Sequence, residues 1–279
     1  ASLLETEAYE RNRDKLKSAL MRMEHLAEHP WNGSNPEEKV AAFNRKTKWQ
    51  EEMSEKVDEV IEDSLDTISR HVETGTETVL LVFNPLSWER TDIVKVQHVG
   101  SGPFTIKDNE TEETQPHDIA KIGEKNLLTF AAKGVPALGY KTYTISKANR
   151  ACEEKPCIRV EDNFIENGFY RLEVDKRTGG LLSLLDKRRN VELADAKSKY
   201  KLNEYVYLSE DREYAPTDAK ISLGQRRLMS GSLIIESSSL RSRIETTITL
   251  YSDLDRIDIT NEVTKAASSE LQEVHFVFP

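Results

Sequence analysis

Apolar residues recur every three or four positions over the first seventy residues and roughly every second position over most of the rest, so the chain changes periodicity once. From 7 to 27, Leu16, Ala19, Leu20, Met23, Leu26 and Ala27 keep helical spacing with Arg, Lys and Glu between them, which marks an amphipathic helix. That helix is predicted to stop at His29-Pro30. Asn32-Gly33-Ser34-Asn35-Pro36 reads as a turn, and Pro36-Glu37-Glu38 as a new helix start with proline at its first position. Val40, Phe43, Met53, Val57, Val60, Ile61, Leu65, Ile68 and Val72 then line one long helix or two. No helix buries such a row by itself, so an antiparallel helical bundle is expected over residues 1–73.

The periodicity changes at Val79-Leu80-Leu81-Val82-Phe83-Asn84-Pro85-Leu86-Ser87-Trp88-Glu89-Arg90, after the polar break at 73–77. Residues 78–83 are β-branched and aliphatic in the manner of a buried strand, and Asn84-Pro85 turns the chain. Residues 91–99 alternate polar and apolar, which predicts one buried and one wet face. Further strands are expected at 126–131, 139–145, 164–174, 181–185, 204–208, 233–236, 243–250 and 256–263. Short strands broken by turns at this spacing predict a large antiparallel β-sandwich over 78–279, with first strands at 78–146, a loop at 147–163 and the main sandwich from 164. The fold class is therefore α+β. Trp88 is expected to pack where the two architectures meet. In the clearest hairpin, 168–186, Asp175 and the pair Gly179-Gly180 are expected to supply the positive φ of a tight reversal.

Charge changes the picture little. The chain has 279 residues, 32% of them charged, and a formal net charge of −10, so its surface is solvated and unsuited to nucleic acid or anionic membranes. No apolar run approaches the roughly 20 residues that cross a bilayer, and the first residues are not a signal peptide; a soluble, cytoplasmic protein is expected. Cys152 and Cys157 are too sparse for a disulfide framework and read as a surface loop, bridged or not.

Candidate chemistry is thin. His25, His29 and His71 have no partner at zinc-helix spacing and read as surface or core residues. Asp253, Asp255 and Asp258 crowd one loop, but without the glycine and terminal Glu of a calcium loop they read as structural. There is no nucleophile elbow, phosphate-cradling glycine loop or dinucleotide fingerprint. The last residues, Val274-His275-Phe276-Val277-Phe278-Pro279, break off inside an expected strand, which suggests part of a longer polypeptide, truncated at its C-terminal end.

The segments Phe83-Asn84-Pro85-Leu86-Ser87-Trp88-Glu89-Arg90 and Glu166-Asn167-Gly168-Phe169-Tyr170-Arg171-Leu172-Glu173-Val174-Asp175, with Thr178-Gly179-Gly180-Leu181-Leu182-Ser183-Leu184-Leu185-Asp186-Lys187, resemble glycoside hydrolase family 38, the α-mannosidases. Residues 248–263 and His275-Phe276-Val277-Phe278-Pro279 fit as well. The resemblance implies a retaining α-mannosidase: an N-terminal β/α barrel with zinc and an Asp nucleophile, then a three-helix bundle and a galactose-mutarotase-like super-sandwich. The chain matches the bundle and sandwich, so the barrel is its implied partner and a mannose-containing glycan the implied substrate. It would be the non-catalytic portion of the enzyme, inactive alone, with no catalytic residue, no metal ligand and no cofactor of its own; zinc is implied for the full-length member only. The family's zinc-binding histidine stretch in the bundle is not recognisable here. Within Glu204-Tyr205-Val206-Tyr207-Leu208, the resemblance makes Tyr205 the candidate substrate-binding residue, against the plainer reading of an aromatic packed in the sandwich. Another reading is a carbohydrate-binding or structural β-sandwich module without activity, with Trp88 among its three tryptophans; a further one is an interaction scaffold built on the helices.

Overall fold

The computed structural model describes residues 2–27, 34–74, 77–98, 103–123, 125–148, 157–195, 197–268 and 270–279. The expected helix stop at His29-Pro30, Trp31 and Cys152 lie outside them. The chain divides into two compact units, Ala1–Glu77 and Thr78–Pro279.

The first unit holds two helices, α1 (Ser2–Ala27) and α2 (Pro36–Ser69). The start of α2 is set by local chemistry. The Asn35 side chain accepts from Glu38 N at 2.9 Å, Glu38 Oε2 accepts from Ser34 N at 2.6 Å, and Pro36 occupies the position where no amide donor is needed. The helices run antiparallel, as the cross-helix pairs Arg11–Asp63, Lys15–Glu59 and Arg22–Glu52 require, at 2.9, 2.6 and 2.9 Å. Between them few side chains are buried: Asn12, Ala19, Ala42 and Lys46.

The second unit is built of antiparallel sheets. Its first part contains β1 (Thr78–Asn84), β2 (Arg90–His98), β3 (Phe104–Asp108), β4 (Thr114–Gln115), β5 (His117–Ile122), β6 (Lys125–Val135) and β7 (Gly139–Lys147). They form two sheets, ordered β1-β7-β3-β4 and β2-β6-β5. Phe104, Ile106, Tyr143 and Ile145 from one sheet meet Leu128, Phe130, Ala132 and Val135 from the other in a single buried core, so alternation along the strands is what lets the two faces interdigitate. Phe130 and Tyr143 meet edge to face, ring centroids 4.9 Å apart.

The second part adds β8 (Arg159–Glu161), β9 (Phe164–Glu166), β10 (Tyr170–Val174), β11 (Leu181–Asp186), β12 (Val191–Glu192), β13 (Glu204–Ser209), β14 (Arg212–Tyr214), β15 (Lys220–Arg226), β16 (Ser230–Ser239), β17 (Ser242–Tyr251), β18 (Ile257–Lys265) and β19 (Gln272–Val277). These make sheets ordered β12-β11-β10-β9-β8, β15-β16-β17-β18 and β14-β13-β19. Ile165, Leu172, Val174, Leu181 and Leu184 pack on Leu233, Ile235, Ile248 and Leu250 across the first two.

The expected single strand over 164–174 is two. Asn167 interrupts it: its Oδ1 accepts from Phe169 N and Tyr170 N at 2.8 and 2.7 Å, and its buried Nδ2 donates to Tyr251 O at 2.8 Å. The expected hairpin forms between β10 and β11, with Tyr170 opposite Asp186 and Leu172 opposite Leu184. Only Gly179 of the glycine pair has positive φ, at 82°. Gly180 answers to space instead, because a Cβ there would lie 2.7 Å from Lys201 Cβ and 3.2 Å from Glu204 Cβ.

Candidate functional site

The turn after β1 is organised by the buried Asn84. Its Nδ2 donates to Trp88 O at 2.8 Å and to Val135 O and Pro136 O at 3.1 Å each, and its Oδ1 accepts from Leu86 N at 3.1 Å. One amide thus ties together carbonyls of two loops, 85–89 and 135–138. Beside it a cavity of about 170 Å³ is lined by Val82, Phe83, Asn84, Arg90, Asp92, Ile93, Val94, Ala132 and Val135. Asp92 on its rim bonds Arg90 and accepts from Arg256 Nη1 at 2.8 Å. Trp88 itself, expected to pack at the change of architecture, is 60% exposed.

Tyr205 lies on β13, whose residues are buried on both faces. The ring is 2% exposed, its hydroxyl donates to Ser242 Oγ at 2.6 Å, and Phe276 meets it edge to face at 5.4 Å. Burial raises the pKa of the Tyr205 hydroxyl, which keeps it a neutral donor. The strand is held at its start by a reciprocal amide pair, Asn203 Nδ2 to Asn261 Oδ1 at 3.1 Å and Asn261 Nδ2 to Asn203 Oδ1 at 2.9 Å.

Among the described residues no group of three His, Cys, Asp or Glu side chains is placed to hold a metal ion. His25 stacks on Trp49 at 5.1 Å, and His71 Nδ1 lies 2.8 Å from Thr67 O. The acids of the 253–258 loop are each paired with a cation: Asp253 with Lys133 at 2.9 Å, Asp255 with Arg188, and Asp258 with Arg256 at 2.9 Å. Tyr251 Oη also donates to Asp258, at 2.5 Å. An open cleft of about 350 Å³ lined by Asp218, Lys220, Glu236, Ser237, Ser238 and Arg243 carries polar groups of both signs, with Glu236 and Arg243 paired at 2.9 Å.

Sequence reasoning missed the contacts that join the two β parts. Asp118 accepts from Leu228 N and Met229 N at 2.9 and 2.8 Å, and the pairs Asp92–Arg256 and Lys133–Asp253 join the same two parts. These partners are over a hundred residues apart, so no local pattern could announce them. Also missed was Asp108, buried at the end of β3. Burial raises its pKa, but backbone N–H groups of Glu110 and Thr111 and the ammonium of Lys141, 3.0 Å away, outweigh that and hold the carboxyl below the ordinary range. Burial, then the nearby Asp108 charge, pushes the Tyr143 hydroxyl up to about 12.

Residues 165–279 match the model of the glycosyl hydrolases family 38 C-terminal domain. Over 97 residues the chain is 33% identical to a probable alpha-mannosidase of Arabidopsis thaliana, a match covering 27% of this chain and 9% of that protein. Two solved structures share the fold. One is a protein in glycosyl hydrolase family 38 from Enterococcus faecalis, with a TM-score of 0.69, 13% identity, 97% of this chain and 42% of that one covered. The other is an alpha-mannosidase from Enterococcus faecalis V583, with a TM-score of 0.68, 12% identity and coverage of 97% and 40%. The chain thus spans about two fifths of the length of these structures.

Proposed function

We propose that this chain, whose residues 165–279 match the glycosyl hydrolases family 38 C-terminal domain, is the non-catalytic portion of a retaining, zinc-dependent α-mannosidase. The family match over 165–279 carries this reading, and the likeness of fold over 97% of the chain supports extending it toward the helices. The substrate is a mannose-containing glycan, and the partner is a catalytic barrel in the same cytoplasmic polypeptide. Zinc and the nucleophile belong to that barrel. The described residues here do not fit a zinc site, so no chemical step is assigned to them.

Under this reading residues 1–73 are part of a helical bundle and 78–279 a super-sandwich. The helices support it. Leu16, Leu20 and Met23 on α1 and Val57, Ile61 and Leu65 on α2 are exposed. Each row lies on the same rotational side of its helix's buried row, and in an antiparallel pair that puts both rows on one flank, the seat for a third helix. Tyr205 is the residue of this chain we assign to substrate binding at the mannose site.

An aryl α-mannoside assay tests the whole. The chain alone is expected to be inert and the full-length polypeptide to hydrolyse the substrate, with loss on zinc chelation and recovery on zinc return. Turnover by the chain alone at the full-length rate, or a full-length protein indifferent to chelation, overturns the reading. Tyr205→Phe in the full-length protein is expected to lower kcat/KM; unchanged kinetics would remove Tyr205 from the site.

A further inference from the structure

Trp88 and Leu138 are both large, apolar and exposed, at 60% and 67%. Both sit on backbone that is held rather than loose. Leu138 N donates to Leu86 O at 2.9 Å, and Gly134 N donates to Thr91 Oγ1 at 3.0 Å. Asn84 ties Trp88 O to Val135 O and Pro136 O, as described above. Gly139 closes the second loop so tightly that a Cβ there would lie 2.9 Å from Pro136 Cγ. Leu138 has φ +46°, a conformation that costs a non-glycine residue stability and that glycine or asparagine would take more cheaply. An indole in water and a strained leucine in water both work against the fold of this chain alone, and the buried Asn84 spends its hydrogen bonds holding them there. Tryptophan is among the residues that dominate interface energetics, and a preorganised loop loses little entropy when it is covered.

We propose that Trp88 and Leu138 are the anchor on which the catalytic domain of the same polypeptide seats against this β region. The inference rests on the hydrolase reading above for the identity of that domain. The size of the patch selects the occupant. Two side chains fall far short of the roughly 800 Å² per partner that a freely diffusing protein needs. A tethered domain faces an effective concentration of order millimolar and needs no such area. The solved structures that share this fold carry more than half of their length beyond the part this chain covers, 42% and 40% being matched.

Fluorine NMR with 5-fluorotryptophan tests this, the Trp88 resonance being assigned by Trp88→Phe. In this chain alone the resonance is expected to show a full H2O-to-D2O solvent isotope shift, and in the full-length protein to lose most of it; equal shifts in both overturn the proposal. Leu138→Gly gives a second readout of opposite signs. By relieving positive φ it is expected to raise the melting temperature of this chain, and by removing an anchor to lower that of the full-length protein; a rise in both overturns the proposal. A saturable displacement of the Trp88 resonance by mannotriose in this chain would make the patch a sugar platform and overturn it as well. α-Mannoside hydrolysis is scored separately: a full-length protein that shields Trp88 but is inactive keeps the docking and sinks the hydrolase reading.

Discussion

The two units differ in how far each can bury its own apolar residues. Two strand layers at a time enclose Phe130, Tyr143, Ile106 and Leu128 in one β core, and Ile165, Leu172, Leu233 and Ile235 in another, all essentially free of solvent. Two helices enclose Ala19 and Ala42 and leave Leu20, Met23, Phe43 and Ile61 in water. A sheet presents a whole face to its neighbour, whereas a helix presents a stripe, and a pair of helices covers only the stripe between them. Sheet geometry therefore closes its own cores in one unit, whereas helix geometry leaves apolar rows exposed in the other.

The first β core carries the largest expected effect. Phe130→Ala removes a fully buried ring that meets Tyr143, and is expected to cost about 3–5 kcal/mol in urea unfolding. A loss below 1 kcal/mol would mean that this core does not hold the β region together.

The seam between the two β parts comes next. Asp118→Ala leaves the amides of Leu228 and Met229 without their acceptor, at a cost of about 1–3 kcal/mol, and its unfolding should lose cooperativity, visible as two transitions where the parent has one. Asp108→Asn sharpens the same region through pH. The carboxyl's folded pKa lies below the ordinary aspartate value of about 3.9. Its contribution is therefore fully present above that ordinary value and is lost as pH falls through the lower folded value. The parent should show an acid-limb loss of stability in that window that the Asn variant lacks; parallel acid limbs would remove Asp108 from the account.

The smallest effects belong to the helices. Asn35→Ala removes the cap of α2 and should cost about 1 kcal/mol, read as reduced helical circular dichroism on heating. Leu20→Asp, on the uncovered flank, should change the stability of this chain by less than about 0.5 kcal/mol. A loss comparable to the Phe130 variant would mean that the flank is covered after all.

Local chemistry by itself determined a good deal. Helical spacing located α1 and α2, alternation located most strands, Asn35-Pro36 set a helix start, and Gly179 supplied the positive φ of the β10–β11 turn, while Asp175, expected to do the same, acts through its side chain, which accepts from Arg177 N. These are legible because each depends on residues within a few positions of one another. The short strands at 104–108, 117–122 and 159–161 were not foreseen, since three to six residues carry too little period to stand out. Only the tertiary structure decided that Asn167 cuts a strand to reach Tyr251, that Gly180 answers to Lys201 and Glu204, that Asp92 meets Arg256, and that Tyr205 is buried beneath Ser242 and Phe276. Each of these pairs residues well apart along the chain. Which distant partner completes a polar side chain is a property of packed sheets, and no stretch of sequence contains it.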